Sequence, residues 1–145
     1  MISAKTKAKK EATNLIRKLN KKERILIMSS IYWGEGGKRD FNLTNTDPYL
    51  IRLFIDGLIK EFAITRERIR LSIRIYEGMN EKECINYWLK TTRLSKSNLV
   101  SVNIIKGRKK GKLKYGMCRV RVLKAGNVLK YVNAIKEQIV IKFDS

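Results

Sequence analysis

The run Arg68-Ile69-Arg70-Leu71-Ser72-Ile73-Arg74-Ile75-Tyr76 alternates strictly between polar and apolar residues. Successive side chains of a β-strand point to opposite faces. Ile69, Leu71, Ile73 and Ile75 therefore belong to a buried face, and Arg68, Arg70, Ser72 and Arg74 to an outer, basic one. Such a strand needs partners beside it and a layer over its apolar side, and both are legible nearby. Before it, Asp47-Pro48 reads as an N-cap followed by proline at the first helical position. Leu50, Ile51, Phe54, Ile55, Leu58 and Phe62 then recur as one helical stripe. After it, Asn80 with Glu83 opens a second helix bearing Cys84, Ile85, Trp88 and Leu89. Further strands are expected at 41–46, 99–105 and 115–123. The last alternates again, with Val120 and Val122 inward and Arg119 and Arg121 outward. A final helix over residues 126–141 places Val128, Val132, Ile135 and Ile139 on one face.

Towards the N-terminus, Ile25-Leu26-Ile27-Met28-Ser29-Ser30-Ile31-Tyr32-Trp33 is apolar on most sides, which predicts a helix buried between neighbours. Asn20 with Glu23 resembles a capping box opening that helix near Lys21. Gly34, Gly36 and Gly37 end it. Residues 5–24 carry nine basic side chains and two Glu, with Ala8, Ala12, Leu15, Ile16 and Leu19 at helical spacing, the pattern of a basic amphipathic helix. The organisation expected is a basic helical extension over 1–22 and one α+β domain over 23–145, with short loops and no internal repeat.

A chain of 145 residues with 43% apolar content can bury one real core. Its net charge of +20 points to an anionic partner: nucleic acid, an acidic membrane surface or an acidic protein. The longest apolar run is far below the roughly 20 residues of a spanning helix, and no secretory signal is visible at the N-terminus. A cytoplasmic protein is expected. Histidine is absent, which excludes Ser-His-Asp and His-based nuclease chemistry. Cys84 and Cys118 lie in apolar patterns and make no zinc site, so both are expected as reduced core residues.

The charge is unevenly spread. From Cys84 to Lys136 there is no Asp or Glu, while Lys and Arg occur 14 times. The outward strand positions are Asn42 and Thr44, then Arg70, Ser72 and Arg74, then Ser101 and Asn103, then Arg119 and Arg121. On a shared sheet they form a face suited to phosphates and base edges. An ordinary solvated face mixes signs, and this one holds no acid among those positions. Lys106, Arg108, Lys109, Lys110, Lys112 and Lys114 follow, in a loop with two glycines expected to lie on phosphates. The basic N-terminal helix lacks the Trp and Phe that anchor interfacial helices, which argues against a membrane.

Glu35 stands between glycines at the tip of the apolar helix. A carboxylate there suits a divalent cation held against a phosphate, and the glycines would let a nucleic-acid backbone come close. The plainer alternative is an acid in a helix-ending turn. Asp40 and Asp47 read as turn and cap residues, so one chain offers one carboxylate, a poor metal site unless two copies of Glu35 meet across a twofold axis. Ser29, Ser30 and Gly34 are small residues on this helix, and they would allow two such helices to approach closely.

Met28-Ser29-Ser30-Ile31-Tyr32-Trp33-Gly34-Glu35-Gly36 resembles the LAGLIDADG motif of homing endonucleases, closest to short prokaryotic relatives with a Tyr-Trp-Gly-Glu-Gly signature. Ser29 and Ser30 stand where the motif has its small Ala-Gly pair. Phe41-Asn42-Leu43-Thr44-Asn45-Thr46-Asp47 and Leu50-Ile51 resemble the strand that leads into the family's next helix. The likeness covers roughly residues 23–141. It implies an α+β fold with a saddle-shaped antiparallel sheet, covered by helices on one face and set on the DNA major groove. It also implies a homodimer through Ser29, Ser30, Trp33 and Gly34, with Mg²⁺ or Mn²⁺ held by Glu35 of each subunit. The chain departs from the family at Trp33, where the motif has its first acid, in Glu for Asp at position 35, in a shortened first hairpin, and in an added helix over 81–92.

The expectation is a sequence-specific, double-stranded DNA-binding homodimer. As an endonuclease it would hydrolyse a phosphodiester, with Lys38, Arg39 or a loop lysine offsetting transition-state charge. The alternatives are a DNA-binding transcriptional regulator without cleavage and an RNA-binding or splicing-assisting protein of the same fold.

Overall fold

The computed structural model of the protein describes residues 1–107 and 114–145. Helix starts follow side-chain caps. In α1 (Ala4–Leu15) Ser3 accepts from the Thr6 amide. In α2 (Lys21–Glu35) Asn20 and Glu23 form the reciprocal capping box. Asp47 caps α3 (Pro48–Glu61), and Asn80 caps α4 (Glu81–Thr92). A helix without a side-chain cap, α5 (Gly126–Phe143), closes the chain. The strands are β1 (Asn42–Asn45), β2 (Ile69–Tyr76), β3 (Leu99–Ile105) and β4 (Met117–Val122).

The sheet is mixed, with order β1-β4-β2-β3. This corrects the all-antiparallel saddle. β4 runs antiparallel to β1 and β2, but β2 and β3 are parallel. The cause is α4: a helix between two strands returns the chain to the end from which the first strand set out, so the second strand lies parallel to the first. β3 and β4 are not neighbours, because β2 lies between them. The first hairpin is short, as read: it is reduced to one bridge between Gly36 and Leu43.

Helices cover one face of the sheet. α2 packs on β1, α3 on β1 and β4, and α4 on β2, while α5 lies against α2. Ile69, Leu71, Ile73 and Ile75 are all buried, as are Cys118, Val120 and Val122 from β4. Ile51, Phe54, Ile55 and Leu58 of α3 meet them, with Trp88 of α4 fully enclosed. Cys84 and Cys118 are unbridged and buried within this core, and burial pushes the Cys118 thiol up to about 12. α2 departs from expectation: Met28, Ser29 and Tyr32 face inward, whereas Trp33 is 49% exposed. It is half-covered, not enclosed. No residue of α1 is buried, and α1 stands apart from the core. No helix among the described residues is long and apolar enough to cross a membrane.

Candidate nucleic-acid interface

Strand register assembles the predicted polar face. Asn42 of β1, Arg121 of β4 and Arg70 of β2 form one cross-strand row. Thr44, Arg119, Ser72 and Ser101 form the next. Arg74 and Asn103 pair in a third, beside Met117. The Ser101 Oγ donates to Ser72 Oγ at 3.1 Å, which places both hydroxyls on the same face. A shift in register between Leu71 and Ser72 keeps the parallel strand in phase: Leu71 pairs with Leu99, but Ser72 pairs with Ser101. Without it, Ser101 and Asn103 would point into the helices. Arg74, Asn103 and Arg121 are exposed.

The four arginines are not equivalent. Arg74 and Arg121 have no ion-pair partner among the described residues. Arg119 lies 3.9 Å from the Asp40 carboxylate. Asp40, in the turn before β1, thus places an acid at the margin of the face, although none occupies its strand positions. Arg70 donates from Nη1 to the Glu67 carbonyl at 2.7 Å and to the Ile69 carbonyl at 3.1 Å, so its guanidinium is turned towards the start of β2. Lys106 and Lys114 are exposed at the base of the basic loop, with the Lys114 Nζ 5.5 Å from the Tyr115 ring centre. Arg108, Lys109, Lys110 and Lys112 lie outside the described residues.

Glu35 is the last residue of α2 and is exposed. Among the described residues it makes no ion pair, and no group of three or more His, Cys, Asp or Glu is gathered anywhere. The glycines after it serve packing. A Cβ at Gly36 would sit 2.4 Å from the Tyr32 ring, which stacks on Phe41 at 4.4 Å, and the Gly37 amide donates to the Asn42 carbonyl at 2.8 Å. The Tyr32 hydroxyl donates to the carbonyls of Gly37 and Asp40, and burial raises its pKa above the ordinary phenol value. Close backbone approach is thus used by the protein's own tyrosine at Gly36. Gly34, by contrast, has open space where a Cβ would stand.

The small residues of α2 divide. Ser29 is completely buried inside the protomer, with no hydrogen-bond partner for its hydroxyl among the described residues. It cannot touch a second copy, which corrects its place in the predicted dimer contact. Ser30, Trp33 and Gly34 stay on the exposed side. Ser30 borders a groove of about 650 Å³ between α2 and α5, floored by Leu26, Tyr131, Ile135, Ile139 and Phe143. A second cleft of about 440 Å³ flanks the glycine turn, where Lys38, Asn133, Lys136 and Glu137 meet Trp33. The Lys136 Nζ lies 5.8 Å from the Trp33 ring centre. Arg39 is exposed on the same turn. Sequence reading missed Lys136 and Glu137, since the pairing of α5 with the end of α2 leaves no local signal.

No protein family, curated protein or solved structure matches the chain.

Proposed function

We propose that the protein binds double-stranded DNA across the open face of its sheet, two copies acting together through the exposed sides of α2 and α5. One observation carries the reading: Arg70 and Arg121 are direct cross-strand partners. Like charges at opposed positions on a sheet are destabilising. A phosphate backbone lying on the face would take up this concentration of charge and release counterions. The Arg and Asn side chains of the face have the donors and acceptors that read base edges in the major groove, and its Ser and Thr hydroxyls suit phosphates. The pairing of copies is supported by the apolar groove between α2 and α5, in which Phe143 is 84% and Tyr131 51% exposed. Contiguous apolar surface of this kind marks a contact site.

Duplex titration tests the reading. With ~6–10 phosphates neutralised, affinity falls by ~10³–10⁵ between about 50 and 200 mM salt. A flat salt response overturns it, and preference for structured RNA over duplex DNA in competition reassigns the face to RNA.

Cleavage is a separate question. In the family that residues 28–36 resemble, an acid at the place of Glu35 holds metal. Among the described residues no cluster of three or more possible ligands accompanies Glu35, so one chain would offer a divalent cation a single carboxylate, with water and substrate phosphate filling the other positions. In this reading, two copies of Glu35 would have to meet for two carboxylates to share the metal site. A plasmid-library assay with Mg²⁺ or Mn²⁺ compares wild type with Glu35→Gln. Cleavage lost with affinity kept supports the endonuclease. Binding by wild type without cleavage supports a DNA-binding regulator.

A further inference from the structure

Away from the rows of the sheet face, a cleft of about 320 Å³ opens at the start of the parallel strand pair. Its walls are the turn Arg66–Arg68 before β2 and the segment 93–98 leading into β3. Asn98, buried to 5% exposure, holds the walls together. Its Nδ2 donates to the Arg66 carbonyl at 2.8 Å and to the Ile69 carbonyl at 2.9 Å, while its Oδ1 accepts from the Ser95 amide at 3.1 Å. The Arg66 Nη1 donates across to the Arg93 carbonyl at 2.8 Å, which fixes that guanidinium in place. Ser95 Oγ and Ser97 Oγ are 2.7 Å apart on the same wall.

Arg93 is the informative member. It ends α4 in the left-handed conformation, φ 58°, where glycine is the usual residue. An arginine accepts backbone strain there. Neither Arg66 nor Arg93 forms an ion pair among the described residues, and Glu67, which also borders the cleft, forms none either. The cleft therefore keeps a positive balance. Two guanidinium forks with two hydroxyls match the oxygens of a phosphate group better than those of any neutral ligand. The cleft also borders the proposed DNA face, since Arg70 of the first row donates to the Glu67 carbonyl.

We infer that this cleft seats a phosphate group, and, resting on the DNA-binding reading above, that the group is a backbone phosphate of the duplex where it passes over the β2–β3 end of the sheet. The seat fixes position without reading sequence.

The test uses the full chain and the variant Arg93→Gln, which keeps the backbone carbonyl that Arg66 needs. Duplex affinity is measured from about 50 to 200 mM salt for several DNA sequences. One lost phosphate contact lowers the slope of log affinity against log salt by ~0.9 and weakens every sequence alike. Amide resonances of Ser95, Ser97 and Asn98 should also shift with inorganic phosphate and not with chloride at equal ionic strength. Ser97→Ala should reduce that shift, and it guards against misfolding of Arg93→Gln. Wild type that binds duplex while Arg93→Gln keeps the full slope, with no phosphate-specific shift, overturns the phosphate seat alone. Wild type that binds no duplex overturns the DNA reading. A phosphate shift without a slope change reassigns the cleft to a free phosphate compound and overturns its role in DNA binding.

Discussion

The two faces of the central sheet come from the same strands and differ in every physical respect. On one face Leu43, Ile69, Leu71, Ile73, Cys118 and Val120 have no exposed surface. On the other, Arg70, Arg74, Arg119 and Arg121 stand among Ser, Thr and Asn. The inner face is specified by volume, and each side chain there is held by neighbours from α3 and α4. The outer face is specified by charge, and it sets Arg70 and Arg121 at opposed positions on neighbouring strands. A period of two residues lets one strand meet both demands independently. Substitutions on the inner face should therefore change stability and leave binding, and those on the outer face should do the reverse.

The largest test is Trp88→Ala. Trp88 is fully buried, and its Nε1 donates to the Tyr115 carbonyl at 2.9 Å. The loss should be about 3–5 kcal/mol in denaturant unfolding, with duplex affinity kept wherever the variant is folded. Weakened binding in the folded variant would break the separation of faces. Gly116→Ala comes next. Gly116 has φ 76°, and a Cβ there would lie 2.3 Å from the Arg74 carbonyl oxygen. Strain and overlap together should cost on the order of 2–3 kcal/mol. A thermal midpoint equal to wild type would show that the β2–β4 edge yields more easily than its packing implies.

A smaller effect sharpens the buried side. Ser29→Ala removes a buried hydroxyl without a partner among the described residues and should raise stability by about 1 kcal/mol. A fall in the melting midpoint would mean that the hydroxyl has a partner after all. The smallest change in stability belongs to the outer face. Arg121→Ala removes an exposed side chain and should shift unfolding by no more than about 0.5 kcal/mol. It should nevertheless lower the salt slope of duplex binding by ~0.9. Loss of both fold and slope would deny that the face is free to be spent on binding.

Ser29 and Ser30 show where reading the chain stops. Adjacent residues on a helix point about 100° apart, so one can lie in the core and the other on the surface. In a segment apolar nearly all round, no periodic contrast says which. Packing of α2 against α3 and α5 decides it, and Ser29 goes inside. Asp40 teaches the same lesson. Its approach to Arg119 depends on β1 lying beside β4, a pairing between segments about 75 positions apart in sequence. The polar positions of the face were legible because alternation is local. The acid beside them was not.

Local chemistry written in the chain determined the caps at Asn20, Asp47 and Asn80, the stripe of α3, and the buried and basic sides of β2 and β4. Each depends on hydrogen bonds or side-chain periods within a few residues. Only the tertiary structure decided that β2 and β3 run parallel and that β2 separates β3 from β4. The same holds for the meeting of Arg66 with residues 93–98. These outcomes are set by which distant surfaces bury the most apolar area together, a competition over the whole chain that no local segment records.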